Sequence, residues 1–206
     1  MLLILFFLTL LIGIIPLIIL FLKKKQFRTA YGIVPFIWLT AIATLYELIG
    51  TVILRINTNY WFQVYTLLEF TAIYWYYLKV LGHKSRKSLK ISLFIWSTVF
   101  IISFLFWDRS NKATALAINS CSISLFVFFF TFSYLKGLLE NTAKDFWKAS
   151  SFIFVAGFSI YYGSTILLFV FSQLLFEIGK YNYWSVNIFA TLFLRTFLIL
   201  GVWRMK

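Results

Sequence analysis

The fold class this sequence predicts is all-α: a polytopic membrane protein with seven transmembrane helices. Three observations predict it. Of its residues, 62% are hydrophobic and only 12% charged, with mean hydropathy +0.92. A soluble domain carries roughly 25% charge and 45–50% apolar residues. Seven stretches stay apolar over about 20 residues, the length that crosses roughly 30 Å of hydrocarbon. The basic residues collect between those stretches. The runs lack the dyad alternation of barrel strands, so helices must satisfy their backbones in lipid.

The spans cover residues 2–22, 31–54, 61–81, 91–107, 113–135, 151–176 and 184–203, in a single domain over 1–206. Span 1 has no basic n-region and its charges follow it, which predicts an uncleaved span. Only Thr9, Gly13 and Pro16 interrupt its apolar character. Span 2 holds Pro35 in its first turn, where proline is tolerated. Span 4 is nearly as bland as span 1, and both are expected to face lipid. Span 5 carries Ala113, Ala117, Ser120 and Ser124, a small-residue stripe suited to close packing. Asn119 and Ser122 lie on a neighbouring face that can line a cavity. Gly157 and Gly163 of span 6 read as packing residues. The loop 136–149 mixes Leu138, Leu139, Phe146 and Trp147 with charges, which suits a short interfacial helix.

Charge sets the orientation. Fourteen Lys and Arg fall on the side reached after spans 1, 3, 5 and 7, and four on the other, with Arg195 inside span 7. Basic loops stay cytoplasmic, so the N-terminus is expected outside and the C-terminus inside. Tyr60, Trp61, Trp107, Tyr183 and Trp184 mark the outer rim; Tyr31, Trp147 and Trp203 mark the inner one. The basic loops would meet anionic lipid, or a signalling partner, at the cytoplasmic face. The net charge of +13 is thus a membrane signature and not a nucleic-acid one.

Cys121 and His83 are the only cysteine and histidine. An internal disulfide, CxxC chemistry and histidine-rich metal or haem sites are excluded. No HExxH, intramembrane Ser–His set or paired aspartate is present. No cofactor, no metal and no enzymatic activity is expected.

The unusual residues sit in spans 2, 3, 6 and 7. Thr40, Thr44, Glu47 and Thr51 share one face of an α-helix. Tyr65, Glu69 and Tyr76 form a stripe on span 3, and Asn187, Thr191 and Arg195 one on span 7. Span 6 offers Tyr162 and Gln173 on one side, Tyr161 and Ser172 on another. At 1.5 Å per residue, Glu47, Glu69 and Arg195 lie roughly 10, 12 and 16 Å from the outer ends of their helices. An unpaired charge at that depth costs from about 3 to more than 10 kcal/mol. Arg195 is the one basic partner available. Two carboxylates and one guanidinium leave a formal charge of −1, to be completed by a proton or a cation. Three readings stand: a ligand or ion site built from Glu47, Glu69, Arg195, Asn119, Tyr65, Tyr162, Asn187, Thr191 and Thr44; an internal salt bridge that fixes register; or placement at the lipid edge.

One stretch carries a resemblance. The basic KKKQFR loop (23–28), the Tyr46–Glu47 pair closing span 2, the outer-loop Asn59-Tyr60-Trp61 and the run Tyr65 to Phe70 (YTLLEF) follow one another between residues 23 and 81. This resembles small seven-span inner-membrane proteins of Bacteroidetes-type bacteria. The resemblance implies a bacterial inner membrane. That group has no established activity, so no functional residue carries over. Microbial rhodopsins share the topology but need a lysine in span 7, which is absent here. Sugar transporters of the SWEET type join two parallel three-helix repeats through a linker helix. Span 4 suits a linker, but spans 1–3 and 5–7 show no convincing similarity.

Four functions compete, the least favoured being an intramembrane hydrolase that uses the paired carboxylates of Glu47 and Glu69. One is a sensor or ligand-binding protein with a cavity in the outer half. The second is a small transporter or channel, proton-coupled through Glu47 or Glu69. The third is a structural subunit of a membrane complex. The inner half offers only Thr40, Tyr76, Tyr77 and Thr196 as a path. That predicts a cavity closed on the inside and favours sensing.

Overall fold

A computed structural model of the chain describes residues 2–24, 32–56, 59–82, 85–107, 112–140, 149–171 and 184–205. They form seven α-helices and no strand among the described residues. These are α1 (Leu2–Leu22), α2 (Val34–Leu45), α3 (Asn59–Val80), α4 (Arg86–Ser103), α5 (Lys112–Glu140), α6 (Ser150–Val170) and α7 (Trp184–Trp203). All but α3 are long and apolar enough to cross a membrane, α2 by virtue of its continuation to Ile53.

The element bounds refine the sequence reading. Spans 1 and 7 coincide with α1 and α7. α4 starts at Arg86, so Arg86, Lys87 and Lys90 are helical rather than loop residues. α5 runs on through Lys136–Glu140 in place of the start of the expected interfacial helix; residues 141–148 lie outside the described residues. So do Tyr31, His83, and the last part of span 6 with Ser172 and Gln173.

α2 continues as a π-helix over Tyr46–Ile53. Its wider turn is visible in the bond from the Leu54 amide to the Ile49 carbonyl, five residues back, at 2.9 Å. This corrects the expected four-residue face. Thr40 and Thr44 are buried, but the wider turn swings Thr51 round to an exposed position. π-turns inside helices gather at functional sites.

Each helix packs on its neighbours in sequence, and α7 packs back on α1, closing a ring. α3 also packs on α5, which leaves α4 outermost: 22% of its apolar window is buried, against 33–44% in the other five apolar helices. The α6–α7 contact is the most extensive. Glycine makes it possible. A Cβ at Gly157 would come within 2.7 Å of Phe197 Cβ, and one at Gly201 would enter the Phe154 ring. Small residues at helix contacts allow this approach.

The ends alternate, as short connections require. The Lys23 ammonium at the end of α1 donates to the Trp203 carbonyl at the end of α7. The Tyr76 hydroxyl near the end of α3 donates to the Ser151 carbonyl at the start of α6, at 2.9 Å. Lys23, Lys24, Lys79, Arg86, Lys87, Lys90, Lys136 and Arg204 mark this basic end. At the opposite end Arg55 is the sole described basic side chain outside the bundle interior.

The core runs from the middle of the bundle through the basic half. Phe36, Phe70, Tyr77, Phe130 and Phe158 are fully buried there. Phe36 meets Phe158 edge-on with centroids 4.9 Å apart, and Tyr76 meets it at 5.4 Å. Such pairs contribute about 0.5–1.5 kcal/mol each beyond area burial. The outward surface is apolar in turn: Phe94 is 75% exposed, Leu105 81% and Phe132 71%. A surface of this kind is a lipid or partner surface.

Candidate functional site

A cavity of about 360 Å³ lies among six helices, where α1, α3, α5 and α7 begin and α2 and α6 end. Helical spacing builds its walls. Trp61, Tyr65 and Glu69 line it from α3 at i, i+4 and i+8; Asn187, Thr191 and Arg195 line it from α7 at the same interval. The π-helix following α2 presents Glu47, α6 presents Tyr161 and Tyr162, α5 presents Ser120, and α1 closes the wall with Phe6, Thr9 and Leu10.

Three ionisable groups share this space. Glu69 is 8% exposed; its Oε1 accepts the Tyr162 hydroxyl at 2.7 Å. Glu47 is half-buried and takes no hydrogen bond from any described residue. Arg195 is 6% exposed. It donates through Nη1 to the Thr9 carbonyl and through Nη2 to Thr44 Oγ1, the latter at 3.1 Å. Neither carboxylate comes within ion-pair distance of the guanidinium among the described residues, where the one ion pair is Lys136–Glu140 at 3.9 Å. Of the three readings, the register-fixing salt bridge is not formed among the described residues. Arg195 is held by neutral acceptors on α1 and α2, and the glutamates are left to the cavity.

The threonines explain how that is arranged. Thr9, Thr44, Thr66 and Thr191 each donate their hydroxyl to the carbonyl four residues back. In an apolar surrounding this is how a hydroxyl satisfies its own donor. Its lone pairs stay free, and Thr44 uses one to accept Arg195. Gly13 supplies the room. A Cβ there would lie 2.8 Å from Arg195 Cζ, so only a bare Cα lets the guanidinium reach the Thr9 carbonyl.

Of the nine residues expected at the site, Glu47, Glu69, Arg195, Tyr65, Tyr162, Asn187 and Thr191 line the cavity. Thr44 stands behind the wall and holds Arg195. Asn119 is a correction. It is buried against α4, with Nδ2 donating to Ser103 Oγ at 2.9 Å. Its neighbour Ser120, read as a packing residue, faces the cavity instead. One residue along a helix turns the side chain by about 100°, and composition does not fix which of two adjacent polar residues faces inward.

Sequence reasoning missed Trp61, Tyr161, Thr9 and Gly13. Trp61 read as a rim anchor, but it lies stacked on Tyr46 at 4.2 Å and faces the cavity. Thr9 and Gly13 were visible as an i, i+4 pair in an otherwise apolar run. That pair is the signal for α1 approaching a polar group. No family model, curated protein or solved structure matches this chain.

Proposed function

We propose that this chain is a ligand-binding protein of a bacterial inner membrane, a sensor rather than an enzyme, with seven spans and the N-terminus outside. The observation that carries the reading is a 360 Å³ cavity walled by two carboxylates and a guanidinium that do not pair with one another. That volume lies at the lower end of small-molecule sites. Intramembrane ionisable groups kept unpaired toward a cavity are a functional arrangement by default.

Two features support the topology. α3 falls short in apolarity because its polar residues turn inward; Val64, Leu68 and Trp75 form its exposed face. It therefore suits a seventh span. The basic end gathers the described Lys and Arg, which suits the cytoplasm and anionic lipid there.

Sensing is favoured over transport because the basic half is closed. Tyr77 is bonded to Thr131 at 2.7 Å, Tyr134 to Ser151 at 2.9 Å, and Thr40 to the Phe36 carbonyl at 2.8 Å. Thr196, expected on the inner path, is exposed on the outside of α7 and bonds its own helix. A cavity that opens at one end reports occupancy through the helices around it, and Arg195 ties α7 to α1 and α2.

The test is thermal stability of the purified protein in lipid nanodiscs, wild type against Arg195→Gln, over a panel of small anions, cations and metabolites. A compound that raises the wild-type melting temperature and not the mutant's is the expected result. Flux of that compound into proteoliposomes, abolished by Glu69→Gln, would instead make the chain a transporter.

A further inference from the structure

We infer that the cavity's ligand is a small organic cation, an alkylammonium or quaternary ammonium group, bound between the two glutamates and the aromatic wall. This rests on the ligand-binding reading above and adds the ligand's chemical class.

The inference comes from matching donors to acceptors around the cavity. Among the described residues Arg195 is its only cationic lining residue, and it is already engaged on two neutral acceptors. The hydroxyl hydrogens of Thr9, Thr66 and Thr191 are spent on their own helices. Tyr162 spends its hydrogen on Glu69. The wall also carries N–H and O–H donors on Asn187, Tyr65, Tyr161 and Ser120, but the charge left over is that of the carboxylates. Among the described residues nothing bonds either Glu47 oxygen, Glu69 has one oxygen left, and the Asn187 Oδ1 is buried without a partner. A buried acceptor without a partner, as Asn187 Oδ1 is, costs about 1–3 kcal/mol, so a ligand that brings donors and positive charge suits this wall.

The walls select among cations. Phe6, Trp61, Phe62, Tyr65, Tyr161 and Phe169 line the same cavity as the carboxylates. Aromatic faces attract ammonium and quaternary ammonium groups, and aromatic cages recognise them. No group of three or more His, Cys, Asp or Glu suited to a metal ion occurs among the described residues. The space also exceeds a bare ion. An anion would meet two carboxylates and a guanidinium turned toward Thr9 and Thr44. With both glutamates ionised the formal charge is −1, which one monovalent cation neutralises.

The experiment uses the full chain in nanodiscs of zwitterionic lipid, at constant ionic strength. The probes are ethylammonium chloride and tetramethylammonium chloride, with sodium acetate and sodium chloride as controls. Binding is read by melting temperature and by the Trp61 contribution to emission, taken as wild type minus Trp61→Phe. Saturable stabilisation by an ammonium salt over sodium chloride is expected. Glu47→Gln should weaken it by at least about tenfold, as loss of a charge partner in a desolvated site does. Glu140→Gln, at the opposite end, should leave it unchanged. The wild-type emission readout decides the matter even where Glu47→Gln fails to fold. Saturable stabilisation by acetate, lost in Arg195→Gln, would overturn the cation while keeping the cavity as a ligand site. No saturable response to either class overturns the cation proposal, and a silent metabolite panel as well overturns the ligand-binding reading with it.

Discussion

The two halves of the bundle are built from the same helices and differ in what they do with polar groups. In the basic half, α3 contributes Tyr76 and Tyr77, whose hydroxyls end on Ser151 and Thr131. α7 contributes Leu198, Gly201 and Val202, all buried. In the cavity half, α3 contributes Tyr65 and Glu69, and α7 contributes Asn187, Thr191 and Arg195 around space. Hydrogen bonds in the first half are closed between neighbours, while acceptors in the second are left over. Unsatisfied buried groups are rare in proteins and persist where something else needs them. The division teaches that the packed half supplies stability and the cavity half draws on it.

The largest effect should follow from opening the packed half. Phe158 is fully buried between Phe36 and Tyr76. Phe158→Ala is expected to cost about 3–5 kcal/mol, the usual range for removing a core aromatic ring. Phe6→Ala, on the cavity wall, removes a ring that already faces space and should cost less than half as much. Reversible unfolding in mixed micelles measures both. Equal losses would mean that the two halves are packed alike and that the cavity is filled by side chains in the membrane.

The contrast between halves was only partly legible in the sequence. The apolar runs located the helices because lipid demands about 20 such residues, and span 1 and span 7 matched to the residue. The stripe Asn187, Thr191, Arg195 was readable because an undistorted α-helix keeps i, i+4 and i+8 on one side. Thr51 was not, because nothing in YELIGTVI marks a change from α to π turns, and the wider turn rotated it outward. Asn119 and Ser120 were exchanged because adjacent polar residues carry no sign of which one meets a cavity. The partners of Arg195 were hidden for another reason. A carbonyl of α1 is a feature of the backbone, and glycine at 13 announces only that something comes close.

Gly13 gives the next effect in size. Gly13→Ala places a Cβ 2.8 Å from Arg195 Cζ. Overpacking of this kind costs about 1–3 kcal/mol. The guanidinium must leave the Thr9 carbonyl, so ligand response should fall along with stability. A double variant separates the cause from any general effect on α1. With Arg195→Leu in the background the contacts to the guanidinium are gone while the closer one to Thr44 Oγ1 remains, so the added cost of Gly13→Ala should fall only in part; contacting residues show such non-additivity. Strict additivity would mean that Gly13 serves only the α1–α2 approach and that Arg195 is not positioned by it.

The smallest effect belongs to the one ion pair among the described residues, and its smallness sharpens the contrast. Lys136 and Glu140 meet at 3.9 Å on the exposed last turn of α5, with side chains 68% and 57% exposed. Three physical terms keep this pair weak. Water screens it. Its order, lysine before glutamate, is the poorer arrangement for i, i+4 pairs. Glu140 also sits at a helix C-terminus, where the macrodipole disfavours a carboxylate. A double-mutant cycle with Lys136→Gln and Glu140→Gln should give a coupling of about 0.3 kcal/mol, fading between 0.15 and 1 M salt as the screening length shrinks from about 8 to 3 Å. The bundle thus pairs charges where pairing contributes little and leaves them apart where it would contribute most. A coupling above about 1 kcal/mol, insensitive to salt, would mean that lipid headgroups or a partner exclude water from this end. The basic face would then be a binding surface, and the asymmetry between the two halves would be one between two sites.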